Sequence, residues 1–86
     1  MEKPIPPRLY WACRRGMLEL DVLLGNFLKG AYASLSEKDQ ALFVRLLESS
    51  DQDLFVWLTG KEQVPDPEFA AMIEKIRSYA KHRHHP

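Results

Sequence analysis

With 86 residues, 45% of them hydrophobic and 28% charged, the chain suffices for one domain and is too apolar to stay disordered, but a fold this small has little depth for an enzyme cleft. Formal net charge is zero, so the positive field that holds a nucleic-acid duplex is missing. The single cysteine, Cys13, excludes an intrachain disulfide and a cysteine metal cluster, which suits a reducing compartment such as the cytoplasm.

Charge is segregated along the chain. Lys3, Arg8, Arg14 and Arg15 outweigh Glu2 at the start, Lys75, Arg77, Lys81 and Arg83 outweigh Glu74 at the end, and the middle is acidic. Such a distribution can orient docking onto a partner of mixed charge, or be no more than a solvated face. No run is long enough to span a bilayer, and Met-Glu-Lys-Pro-Ile-Pro-Pro lacks the apolar core of a signal peptide.

Apolar spacing is helical almost throughout, so an all-α fold is expected. Pro6 and Pro7 suit the first turn of a short helix reaching about Arg14, ended by Gly16. A second helix, from about Met17 to Ala33, carries Leu20, Leu24, Phe27, Leu28 and Ala31 on one stripe; Gly25 and Gly30 weaken it by about 1 kcal/mol each. Ser36, followed by Glu37 and Asp39, opens a third helix that runs to Glu48. Asp51 is read as the cap of a fourth, whose Leu54, Phe55, Trp57 and Leu58 should be largely buried before Gly60 ends it. After a loop to Asp66, Asp66-Pro67-Glu68 starts a fifth helix with Phe69, Met72, Ile73, Ile76 and Ala80 on one face. The expectation is a single domain over 1–86, a monomeric bundle of five short helices, with 1–5 and 82–86 as flexible ends.

Within this frame, Arg14-Arg15-Gly16-Met17-Leu18-Glu19 places two guanidinium groups, a glycine and a carboxylate within two helical turns. One reading is a helix-ending glycine followed by a first-turn acid that favours the helix dipole. It leaves the paired arginines unexplained. The other reading is a contact site: Arg14, Arg15 and Glu19 supply charged hydrogen bonds, Gly16 allows close approach, and Trp11 is an apolar anchor. It expects Glu19→Ala and Arg15→Ala to leave melting nearly unchanged.

The sequence contains no phosphate-cradling glycine loop and no His-Glu-x-x-His pair. His82, His84 and His85 lie at the end of the last helix, where a frayed tail cannot fix metal geometry, so no metal is expected. Cys13, beside two arginines, is open to two readings: a thiol of depressed pKa, or a half-buried helical cysteine. No catalytic residue is assigned.

The order Arg8-Leu9, Trp11, Arg14 through Asp21, Leu35-Ser36, Phe43, Arg45-Leu46-Leu47-Glu48, Asp51, Asp53-Leu54-Phe55 and Trp57-Leu58 resembles the SdhE (YgfY) family. These are small five-helix bacterial proteins related to the mitochondrial succinate dehydrogenase assembly factor, with the signature Arg-Gly-x-x-Glu. The resemblance covers residues 8 to 60 and implies a non-enzymatic assembly factor. Such a factor binds the flavoprotein subunit of succinate dehydrogenase, and of fumarate reductase, and promotes covalent attachment of FAD to a client histidine. It implies that Arg15, Gly16 and Glu19 face the client, that no FAD is stably bound, and that the setting is the bacterial cytoplasm. Two rivals come from other classes. One is a small helical nucleic-acid-binding or regulatory protein of toxin-antitoxin type, which the neutral charge disfavours; the other is a small enzyme using Cys13.

Overall fold

A computed structural model describes residues 5–83. Five α-helices account for most of them: α1 (Pro7–Ala12), α2 (Leu18–Ala31), α3 (Glu37–Leu46), α4 (Asp51–Leu58) and α5 (Pro67–Arg83). A single 3-10 turn, Tyr32–Ser34, follows α2. No strand occurs among the described residues. The expected flexibility of 1–4 and of the tail from His84 falls outside them, whereas α5 continues through His82, whose Nδ1 lies 2.7 Å from the Ser78 carbonyl oxygen.

Helix starts follow from side chains that satisfy otherwise orphaned amides. Ser36 accepts from the Asp39 amide at 3.1 Å, and Asp66 from the Glu68 amide at 2.8 Å with Pro67 in the first turn. At α4 the cap is Ser50, not Asp51: the Ser50 hydroxyl accepts from the Asp53 amide at 3.1 Å. Moving the cap by one residue releases the Asp51 carboxylate for a longer-range task. Gly60 ends α4 with φ +77°, as expected, and the Lys61 and Gly60 amides donate to the carbonyls of Val56 and Trp57 at 2.8 and 3.2 Å. Only a glycine holds that left-handed geometry without strain.

Gly16 works differently from its expected role. α1 stops at Ala12 and caps through Cys13 with an ordinary right-handed backbone, and Gly60 is the one described residue with positive φ. Gly16 therefore lies in the bend between α1 and α2 without a left-handed conformation. The reason for a glycine there is proximity: an added Cβ would sit 3.2 Å from Asp51 Oδ2.

The core is a continuous apolar cluster drawn from every helix, including Leu9 and Cys13, Leu20, Leu24, Phe27 and Leu28, Phe43 and Leu46, Leu54 and Leu58, and Met72, Ile73 and Ile76. No polar side chain is buried in it. α5 packs against α2, α3 and α4, so its Met72-Ile73-Ile76 stripe closes the bundle. Phe27 joins these layers, with its ring centroid 5.4 Å from Phe43 and 5.7 Å, edge-on, from Tyr79. Tyr79 in turn lies over Gly30, where an added Cβ would come within 1.7 Å of the phenol oxygen. Phe55 and Trp57 are half-buried rather than core; Lys61 covers the first ring and Phe69 lies tilted beside the second, with centroids 6.4 Å apart.

Cys13 is fully buried, and burial pushes its thiol up to about 11; Arg15 lowers it and Asp21 raises it, both by less. Desolvation of the thiolate outweighs the neighbouring guanidinium. That overturns the depressed-thiol reading of Cys13 and leaves a core cysteine.

Candidate docking site

The two arginines of the motif diverge. Arg14 points outward, its side chain 70% exposed, with one loose ion pair to Asp21 at 3.8 Å. Arg15 points inward, its side chain 14% exposed. Its Nη1 donates to the carbonyls of Leu47 at 2.9 Å and Ala12 at 3.0 Å, Nη2 to the Ser49 carbonyl at 2.6 Å, and Nε to Asp51 Oδ1 at 2.7 Å. One planar fork thus ties the end of α1 to the α3–α4 turn.

Asp51 completes the junction. Its second oxygen accepts the Gly16 amide at 3.0 Å. The Arg15 hydrogen bond first, and the Gly16 amide second, hold its carboxyl below the usual value of 3.8. From the other side Asp21, in the first turn of α2, accepts the Arg15 backbone amide. α2 has no side-chain cap at Met17, so this carboxylate is what anchors the bend to the start of α2. Residues 15 and 16 are thereby fixed by two carboxylates, one from α2 and one from α4.

What the bend presents to solvent is the remainder of the motif. Trp11 is 73% exposed, Leu18 76% and Val22 50%. Glu19 is exposed, in the first turn of α2, and makes no hydrogen bond or ion pair among the described residues. Clusters of exposed large apolar side chains beside unpaired charges mark protein contact surfaces. Of the five residues the sequence singled out, Trp11, Arg14 and Glu19 are available to a partner, Gly16 is exposed at the bend, and Arg15 is inside the fold.

The sequence reading missed Leu18 and Val22 as surface residues and gave Asp51 only a capping role. A signal for Asp51 was present. A serine immediately precedes it, so a second cap-type residue was surplus and free for other use. Among the described residues no three His, Cys, Asp or Glu side chains are placed to hold a metal ion, and His84 and His85 lie outside that range. No described helix is long and apolar enough to cross a membrane.

Comparison with known proteins bears on what such a surface meets. Residues 7–80 match the sequence family described as flavinator of succinate dehydrogenase. The FAD assembly factor SdhE of Shewanella oneidensis is 53% identical over 73 residues, 85% of this chain and 89% of that one. The FAD assembly factor SdhE of Yersinia pseudotuberculosis is 43% identical over 83 residues, 96% of this chain and 94% of that one. A solution structure of a UPF0350 protein superposes with a TM-score of 0.74 at 44% identity, covering 91% of this chain and 89% of the other.

Proposed function

Because the chain belongs to the flavinator of succinate dehydrogenase family, we propose that it is an FAD assembly factor whose client is the flavoprotein subunit of succinate dehydrogenase, and also that of fumarate reductase. It is not itself an enzyme. The bond forms within the client, between bound FAD and a client histidine, and this chain keeps no FAD of its own.

The observation that carries the reading is the division of the motif at the α1–α2 bend: Arg15 is fastened from within, while Trp11 of α1, Arg14 of the bend and Glu19 in the first turn of α2 are each exposed around it. A bend whose backbone is already fastened from beneath by Arg15, Asp21 and Asp51 does not have to be ordered on docking. Such a protein accelerates flavinylation only by binding one client conformation better than the others, the one with flavin and histidine aligned. Tenfold tighter binding to that conformer, about 1.4 kcal/mol, multiplies its population relative to the rest tenfold. Glu19 and Arg14 then contribute charged hydrogen bonds to the client, Trp11 the apolar anchor, Gly16 close backbone approach, and Arg15 the fixed position of all of them.

The test is covalent flavin in the client, read by in-gel fluorescence at limiting amounts of this protein, with wild type and the triple variant Trp11→Ala, Arg14→Ala, Glu19→Ala. These side chains are exposed, so the triple variant should melt close to wild type while flavinylation falls sharply. Full flavinylation by the folded triple variant would refute the assignment of this bend.

A further inference from the structure

Beside the bend, α1 and α2 enclose a groove of about 330 Å³. Tyr10 and Trp11 of α1 form one wall, and buried Leu28 lies at its base. Along α2, Asp21, Gly25 and Lys29 follow at i, i+4 and i+8 and so share a face. The glycine makes a notch between the acid and the base. An added Cβ at Gly25 would meet nothing within 4 Å, in contrast to the crowded sites at Gly16 and Gly30. Among the described residues no packing constraint therefore calls for a glycine in the middle of this helix, where it costs stability relative to alanine.

Charge around the notch is unbalanced. Asp21 is already held by the Arg15 amide and by Arg14, whereas exposed Lys29 makes no ion pair among the described residues. The volume lies at the low end of small-molecule pockets, about 300–1,000 Å³, and has room for one large side chain with its flanking backbone. Resting on the function proposed above, we infer that this groove receives a segment of the client flavoprotein that presents an aromatic or long aliphatic side chain over Gly25 next to a carboxylate paired with Lys29. The apolar part of that segment gains contact with exposed Tyr10 and Trp11, and the carboxylate complements Lys29, the one basic residue of α2.

The experiment measures Kd of the purified apo flavoprotein subunit of succinate dehydrogenase for wild type, Gly25→Leu, Gly25→Ala and Lys29→Glu, with a thermal melt of each. Gly25→Leu should fill the groove, melt no lower than wild type and raise Kd at least tenfold. Gly25→Ala should melt higher and bind more weakly by a smaller factor. Lys29→Glu should raise Kd severalfold and lessen the weakening of binding by added salt. If Gly25→Leu melts lower than wild type, Gly25→Ala and Lys29→Glu decide by the same criterion. Variants that all bind within twofold of a binding wild type overturn the groove assignment and leave the proposed function standing. A wild type that does not bind the flavoprotein overturns both. A wild-type dimer that Gly25→Leu dissociates, with client affinity unchanged, assigns the groove to a second copy and also overturns the inference.

Discussion

Replacing Arg15 by alanine should damage the fold itself, contrary to what its place in an exposed-looking motif suggests. The guanidinium donates to three main-chain carbonyls, those of Ala12, Leu47 and Ser49, besides Asp51. At about 1 kcal/mol net for each carbonyl bond, the three together contribute about 3 kcal/mol before the carboxylate is considered. A domain of this length loses about 4–8 °C of melting temperature per kcal/mol, so Arg15→Ala should melt about 12–24 °C below wild type. Lysine should restore only a minor part, because one ammonium cannot span acceptors arranged around a planar fork. Far-ultraviolet circular dichroism during heating, repeated in urea, measures both variants. An Arg15→Ala protein melting within about 3 °C of wild type would refute the clamp and return Arg15 to the surface reading. The same reasoning explains why Trp11, Arg14 and Glu19, and not Arg15, are the right positions for testing client contact.

Two further outcomes follow from the same contacts. The Asp51 carboxyl is held below its ordinary 3.8 by Arg15 and Gly16, so between its folded and unfolded values the unfolded chain binds more protons; its contribution is full above pH 3.8 and is lost as pH falls through the lower folded value. Asp51→Asn should accordingly flatten the acid limb of a stability-against-pH curve measured by urea unfolding, and an unchanged limb would remove Asp51 from the junction. Gly30→Ala should lower the melting temperature despite its gain in helix propensity, because Tyr79, with its phenol oxygen 1.7 Å from the new Cβ, must leave its edge-on place against Phe27; a rise in melting temperature would contradict that packing.

Much of the fold was legible because the forces that set it are local. Helix periodicity reports i, i+3 and i+4 neighbours, and it placed the Leu20-Leu24-Phe27-Leu28 and Met72-Ile73-Ile76 stripes in the core. Ser36, Asp66-Pro67 and Gly60 marked helix ends through bonds only a few residues long. The Arg-Gly-x-x-Glu signature and the order of motifs around it also sufficed to suggest the family.

Tertiary structure alone decided which arginine of the pair is free, since Arg15 and Asp51 are 36 positions apart and no local pattern encodes that bond. It converted Gly16 from a helix stop into a site of close approach by Asp51. It also gave Gly25 and Gly30 opposite meanings: they lie on one helix with the same propensity, but α1 leaves a groove beside the first and Tyr79 of α5 covers the second. Sequence spacing sets which face of a helix a residue shares, whereas what fills the space above that face depends on how separate helices come together.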